Sequence, residues 1–221
     1  DDAKKLIDSM LEHLIIRKIN YSLLLSCDNT TIEKALKHKA MSWCKDMGSE
    51  LVVLSESQGF NNVIYSNLNK LAETRPMFKV LFGYAAQQYR SSIIGKIAEQ
   101  VQNIPEECDI LFVPCGSAVT FTGVVEGKRL YDKKFRLVGL QPFGYNRVKD
   151  VQKNLEGMIW DYDFDFLTGN WSYQQLWSRN VGFELDKIYE SKAYDMMVDL
   201  DLYKTASNPC YWVIGNSNNI R

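Results

Sequence analysis

The chain has 221 residues, 46% of them hydrophobic, with 26 basic and 27 acidic side chains and a formal net charge of −1. That is enough chain to bury a sizeable core as one large domain or two small packed lobes, and the balanced charge gives no overall field to recruit nucleic acid or an anionic membrane. No apolar stretch is long enough to span a bilayer, and five cysteines without a CxxC pair argue against a disulfide framework or structural zinc, so a cytoplasmic globular protein is expected.

The N-terminus, DDAKKLIDSM, lacks the character of a signal sequence, and its first residue is Asp, as in a processed or trimmed chain. Residues 4–18 carry Leu6, Ile7, Met10, Leu11, Leu14 and Ile15 at helical spacing, and 21–26 then reads as a strand. A second helix is predicted over 31–47, with Gly48 as its stop, followed by a strand at 51–54. His13 and His38 are the two histidines, both in helix-like stretches, which leaves little for a His-based metal site or a Ser-His-Asp triad. Beyond Glu56 the pattern weakens to a helix over 62–71 and a strand over 78–84. A helix over 91–101, a strand at 110–114, a helix over 122–131 and a strand at 136–140 follow. Such alternation predicts an α/β protein with open, mainly parallel sheets and helices on both faces, whose ligands lie beyond the carboxyl ends of the strands.

One such end is the run Ile110 to Gly127, ILFVPCGSAVTFTGVVEG, in which an apolar strand meets a small-residue turn and then a helix. Free backbone N–H groups and the positive end of the helix dipole converge at a corner of this kind. Gly116, Ser117, Ala118, Val119 and Thr120 could therefore hold a phosphate, or form an ordinary strand-to-helix turn whose small residues permit close packing. After residue 141 the chain changes character. Residues 155–183 are crowded with Trp160, Tyr162, Phe164, Phe166, Trp171, Tyr173 and Trp177, and with no interleaved Lys or Arg stripe they read as core or subunit contact rather than a base-stacking surface.

The Gly116 to Thr120 turn with Gly123 and Gly127, the strand RLVGL, and LDKIYESKAYDMMVDL (185–200) together resemble the fold-type II pyridoxal-phosphate enzymes, of the tryptophan synthase β-like fold. The resemblance is to the 1-aminocyclopropane-1-carboxylate deaminase and D-cysteine desulfhydrase branch. Its phosphate loop is GSGGT-like, and its segment D-P-x-Y-x-x-K matches Asp186, Tyr189 and Lys192. The segment ALKHKAMSWCKDMGSELVVLSE (35–56) is similar to the helix and strand of that family's smaller lobe. The resemblance implies a smaller lobe or its remnant over 1–80 and a larger cofactor-binding lobe over 81–221. It implies pyridoxal phosphate held at Gly116, Ser117, Ala118, Val119 and Thr120, and Tyr189 near the cofactor ring or the substrate, where the alternative is a half-buried core tyrosine. Lys192, on a helix, is expected to be solvated.

The chain departs from the family pattern in several places. The family's Schiff-base lysine lies in Asn-Lys-x-Arg-Lys-Leu, and its counterpart here is Asp1-Asp2-Ala3-Lys4-Lys5-Leu6, with Asp2 at the reactive position. That lysine is then upstream, is Lys4 or Lys5, or is absent. The Gly-Gly-x-x-Ser-Asn stretch is replaced by SCDNTTIEKA (26–35), in which Asn29 or Thr30 suits a helix N-cap. Ala118 and Val119 stand where the loop usually has glycines, and VIGNSNNIR (213–221) keeps only the turn-like character of the family's His-Thr-Gly-Gly. The expected function is a pyridoxal-phosphate-dependent lyase or deaminase acting on a small amino acid, as a homodimer or larger assembly. The alternatives are an inactive homologue serving as a binding or structural subunit, and a doubly wound protein binding a nucleotide or another phosphorylated metabolite at the same loop.

Overall fold

A computed structural model describes residues 22–25, 42, 45–46, 48, 50–53, 61–75, 87–155, 163–172, 175–179 and 181–214. Backbone proximity divides the chain into two compact units, Asp1–Lys79 with Gly215–Arg221, and Val80–Ile214. In the first unit, β1 (Ser22–Leu25) pairs in parallel with β2 (Glu50–Val53), Ser22 opposite Glu50 and Leu25 opposite Val53. Helix α1 (Asn61–Thr74) follows. Arg75, at its end, donates to both carboxylate oxygens of Glu50 at 3.0 Å, a solvated pair worth a few tenths of a kcal/mol. Of the helix predicted over 31–47, residues 42, 45 and 46 are described and are helical, and Gly48 takes the left-handed conformation (φ 88°) of a helix stop. The helix predicted over 4–18 and the strand over 78–84 lie outside the described residues.

The second unit carries a parallel four-stranded sheet. Helix α2 (Gln87–Gln100) runs through a 3-10 turn to β3 (Ile110–Pro114), then come α3 (Val119–Leu130), β4 (Arg136–Gln141), α4 (Val148–Asn154), β5 (Asp165–Thr168), α5 (Glu190–Asp199) and β6 (Pro209–Tyr211), in sheet order β5-β4-β3-β6. Ile110 sits opposite Arg136 on one side and Pro209 on the other, and Val138 opposite Asp165. Because β3 is central, all five of its residues are buried, which is why its sequence is a continuous apolar run. Leu111, Val113 and Leu137 pack with Phe121 and Val124 of α3 and Val151 of α4 on one face. Ile110, Phe112, Val138 and Leu140 pack with Ala193 and Met197 of α5 on the other.

Helix α3 lies unusually close to α2 because its glycines carry no side chain. A Cβ at Gly123 would stand 2.5 Å from Ile97 Cβ, and one at Gly127 2.6 Å from the carbonyl oxygen of Ala98. The short edge strand β6 is fixed by a side chain as well as by its ladder. The Asp109 carboxylate accepts the amides of Ser207 (2.6 Å) and Asn208 (3.2 Å), just ahead of the strand. The other edge, β5, falls in the aromatic-rich region where the sequence suggests no strand. Its Phe166 meets Phe121 edge-on at 5.5 Å, and Phe164 does so at 5.2 Å, so these two aromatics of the region are sheet and helix packing. Among the described residues no helix is long and apolar enough to cross a membrane, and no group of three His, Cys, Asp or Glu could hold a metal ion.

Candidate functional site

The turn after β3 is built by the backbone. The amide of Cys115 still belongs to the sheet, donating to Leu140 O at 2.8 Å. Gly116 and Ser117 then bend the chain, and Ala118 is the N-cap of α3 with φ 71° and ψ −10°. The left-handed residue is therefore Ala118, which costs about 1–2 kcal/mol relative to glycine. Val119 is the first helical residue, buried against Ile93 and Ile94, and needs no unusual φ. Helix α3 starts three residues before the predicted position 122, so Val119 and Thr120 form its first turn rather than the loop. Their amides have no intrahelical acceptor and lie at the positive end of the helix dipole. Ser117 is exposed and Thr120 half-buried, so both hydroxyls are close to solvent.

The far side of the turn is braced. Thr122 returns both its amide (2.9 Å) and its hydroxyl (2.7 Å) to Ala118 O, and Asn154 of α4 donates to that hydroxyl at 3.0 Å. Burial pushes the Cys115 thiol up to about 12, against the opposing effects of the Ala118 amide aimed at it and the Arg147 charge. It is a neutral packing group and not a nucleophile. The donor set of the turn, helix amides plus hydroxyls without a basic side chain, fits the dianionic phosphate of a cofactor such as pyridoxal phosphate.

Tyr189 comes to the same place from the opposite face of the sheet. The Asp186 carboxylate accepts the amides of Ile188 (3.0 Å) and Tyr189 (2.8 Å), and Glu190 accepts the amide of Asp186 at 3.0 Å, a reciprocal pair that closes the turn leading into α5. The tyrosine ring lies against Gly116. A Cβ there would be 2.9 Å from Tyr189 Cε1, so the loop requires glycine at this point for the ring to approach. Phe143, just past β4, meets the Tyr189 ring edge-on at 5.1 Å.

Lys192, expected in solvent, is fully buried. Its ammonium donates to Ser172 O at 2.9 Å and lies 5.0 Å from the centre of the Phe143 ring, and burial lowers its pKa, partly offset by Asp186. The expectation failed because a helix face bearing Tyr, Lys and Asp reads as solvated, whereas here it turns toward the exits of β4 and β5. Sequence reasoning also missed Gln141 and Phe143. Gln141 is completely buried at the end of β4, with no hydrogen-bond partner for either side-chain polar atom. A Gln closing an apolar strand was the available signal. Lys4, Lys5, Asp2 and the 26–35 stretch lie outside the described residues.

No protein-family model and no curated protein sequence matches the chain. Solved structures do. A protein described as an ACC deaminase homologue aligns with a TM-score of 0.65 at 16% identity, covering 90% of this chain and 66% of its own. Serine racemase from Dictyostelium discoideum aligns at 0.54 and 11% identity, over 94% and 71%. The O-acetylserine-dependent cystathionine β-synthase of Helicobacter pylori aligns at 0.52 and 15%, over 95% and 81%. The chain thus spans just under two thirds of the first of these proteins. With parallel strands, helices on both faces and a small-residue turn at the carboxyl end of β3, the chain has the open α/β fold of the fold-type II pyridoxal-phosphate enzymes, the tryptophan synthase β-like fold.

Proposed function

We propose that the chain binds pyridoxal phosphate at the β3–α3 turn and acts as a lyase or deaminase on a small amino acid, within the 1-aminocyclopropane-1-carboxylate deaminase and D-cysteine desulfhydrase branch. The observation that carries this reading is the juxtaposition at Gly116, where the left-handed turn at Ala118, the free helix start and the Tyr189 ring meet. When bound, the cofactor supplies an electron sink for a carbanion at the substrate α-carbon. The chain's own part begins with the amides of Val119 and Thr120 and the hydroxyls of Ser117 and Thr120, which hold the phosphate. Gly116 keeps the turn free of a side chain, and Tyr189 holds or passes a proton at its phenol oxygen. The larger, cofactor-binding lobe is then 81–221, most of which falls in the second unit. Exposed Leu176 and Phe183 are compatible with a homodimer, and the free thiols of Cys108, Cys115 and Cys210 with a cytoplasmic setting.

A second reading, an inactive homologue kept as a binding or structural subunit, is favoured by two departures in the sequence. In the ungapped resemblance Asp2 stands where the family has its reactive lysine, and SCDNTTIEKA stands where it has the glycine-rich serine stretch. One experiment separates the two. The purified protein is titrated with pyridoxal phosphate while its visible absorption is followed, then reduced with borohydride and peptide-mapped. A protein-dependent absorption band and a reduced adduct on one lysine, Lys4 and Lys5 being the candidates, support the enzyme. Binding without an adduct supports the subunit, and no binding removes the cofactor assignment.

A further inference from the structure

Among the described residues, two lysines are buried, Lys133 and Lys192. Lys133 pairs with the carboxylate of Glu106 and donates to Ile104 O. Lys192 has no carboxylate within salt-bridge distance among the described residues, and its ammonium is held by the Ser172 carbonyl and the face of Phe143. A lysine stem usually carries its charge out to water, and keeping it inside costs desolvation that a carbonyl and an aromatic face only partly offset. The two groups it touches come from different segments, one just past β4 and one past β5. Those segments are already joined by Gly169 N to Gln141 O (2.7 Å) and Trp171 N to Pro142 O (2.9 Å), and Lys192 closes the bracket one residue further on each strand exit. The ring it holds, Phe143, is also the ring against which Tyr189 rests, and Tyr189 lies one helical turn before Lys192.

We propose that Lys192 is a positioning residue for the candidate site: its buried ammonium ties the β4 and β5 exits together and, through Phe143, seats the Tyr189 ring on Gly116. The inference rests on reading Tyr189 and Gly116 as parts of one site. Among the described residues the charged group that acts on Lys192 is Asp186, and Tyr145 stacks on the far partner of the contact, Phe143.

Because a Cβ at Gly116 would stand 2.9 Å from Tyr189 Cε1, the one of the two Gly116 α-protons on that side carries a ring-current shift that Tyr189→Leu abolishes and that reports the seating of the ring in the cofactor-free protein. Lys192→Met is expected to remove at least half of that shift while the Phe112 and Val138 core resonances stay in place, and Lys192→Arg, which keeps charge and donor, is expected to retain it. An unchanged Gly116 shift in Lys192→Met, or an equal loss in Lys192→Arg, overturns the proposal. Should Lys192→Met fail to fold, the unsubstituted protein decides: slowly exchanging lysine ammonium protons with a cross-peak to the Phe143 ring uphold the clamp, and their absence overturns it. The readout needs no cofactor. A protein that passes it and yet binds no pyridoxal phosphate sinks the proposed function alone.

Discussion

The β3–α3 corner and the β5–α5 segment, the two halves of the candidate site, are held by opposite means. The corner is an apolar joint, with β3 buried throughout and α3 pressed on α2 at Gly123 and Gly127. The segment from residue 165 to 199 is held by buried polar groups. Lys192 grips Ser172 O, and Asp195 accepts the Trp177 indole and the Arg179 guanidinium. Glu190, almost fully buried, accepts the amides of Asp186 and Ile214. Close packing tolerates no added atom, and a polar anchor tolerates no lost partner. The two halves should therefore fail under different substitutions.

The largest effect is expected from filling the apolar joint. Gly127→Ala places a methyl group against the Ala98 carbonyl, and denaturant unfolding should show a loss of about 3 kcal/mol. The matching cut in the polar half is Asp195→Ala, which removes a buried carboxylate and leaves the exposed Arg179 guanidinium and Trp177 indole to water. A smaller loss of stability than in Gly127→Ala is expected, with a change in tryptophan fluorescence that Gly127→Ala does not give. Were both variants to lose stability equally and identically in every probe, the contrast between the halves would fail.

Alkaline titration sharpens the comparison from the apolar side. Burial pushes the thiols of Cys108 and Cys115 up to about 12 from 9.0. The unfolded chain gives up these protons first, so their contribution is complete below pH 9 and declines as pH rises toward 12, by about 1 kcal/mol per thiol near pH 10. Thermal midpoints measured across that range should fall, and should fall less in Cys115→Ala. A smaller and opposite effect is expected at the strained cap. Ala118→Gly relieves the left-handed backbone and should raise stability by about 0.5 kcal/mol, the relief being offset in part by glycine's freedom in the unfolded chain. Ser117→Ala with Thr120→Ala should leave stability within about 0.5 kcal/mol and weaken pyridoxal phosphate retention, and unchanged retention would take the hydroxyls out of the cradle.

The same contrast explains what could be read in the sequence. The strands at 110–114 and 136–140 and the parallel α/β plan follow from apolar runs and alternation, because burial on both faces leaves that pattern directly in the residues. Gly116 stood out because small residues at a strand end have few uses. The start of α3 was placed late because Gly116 to Thr120 read as one turn and the β-branched Val119 and Thr120 are weak helix formers, whereas burial of Val119 against α2 overrides that preference. Strand β5 was hidden, being four residues at a sheet edge of which the outer two are exposed and the middle two half-buried. Lys192 read as solvated, since a buried charge differs from an exposed one only in what surrounds it.

The grip of Asp109 on Ser207 and Asn208 bears on the order in which the molecule assembles. Its two partners lie nearly a hundred residues further along the chain, so this bond and the β3–β6 ladder form only after the intervening polypeptide has been drawn into a closed loop. Loop closure of that length is costly, so β6 is expected to join the sheet late as the chain folds and, being short and on the edge, to be among the first strands to open. Since Ile214, three residues beyond it, is tethered by Glu190, the docking of β6 also determines when the end of this unit becomes fixed next to the start of α5.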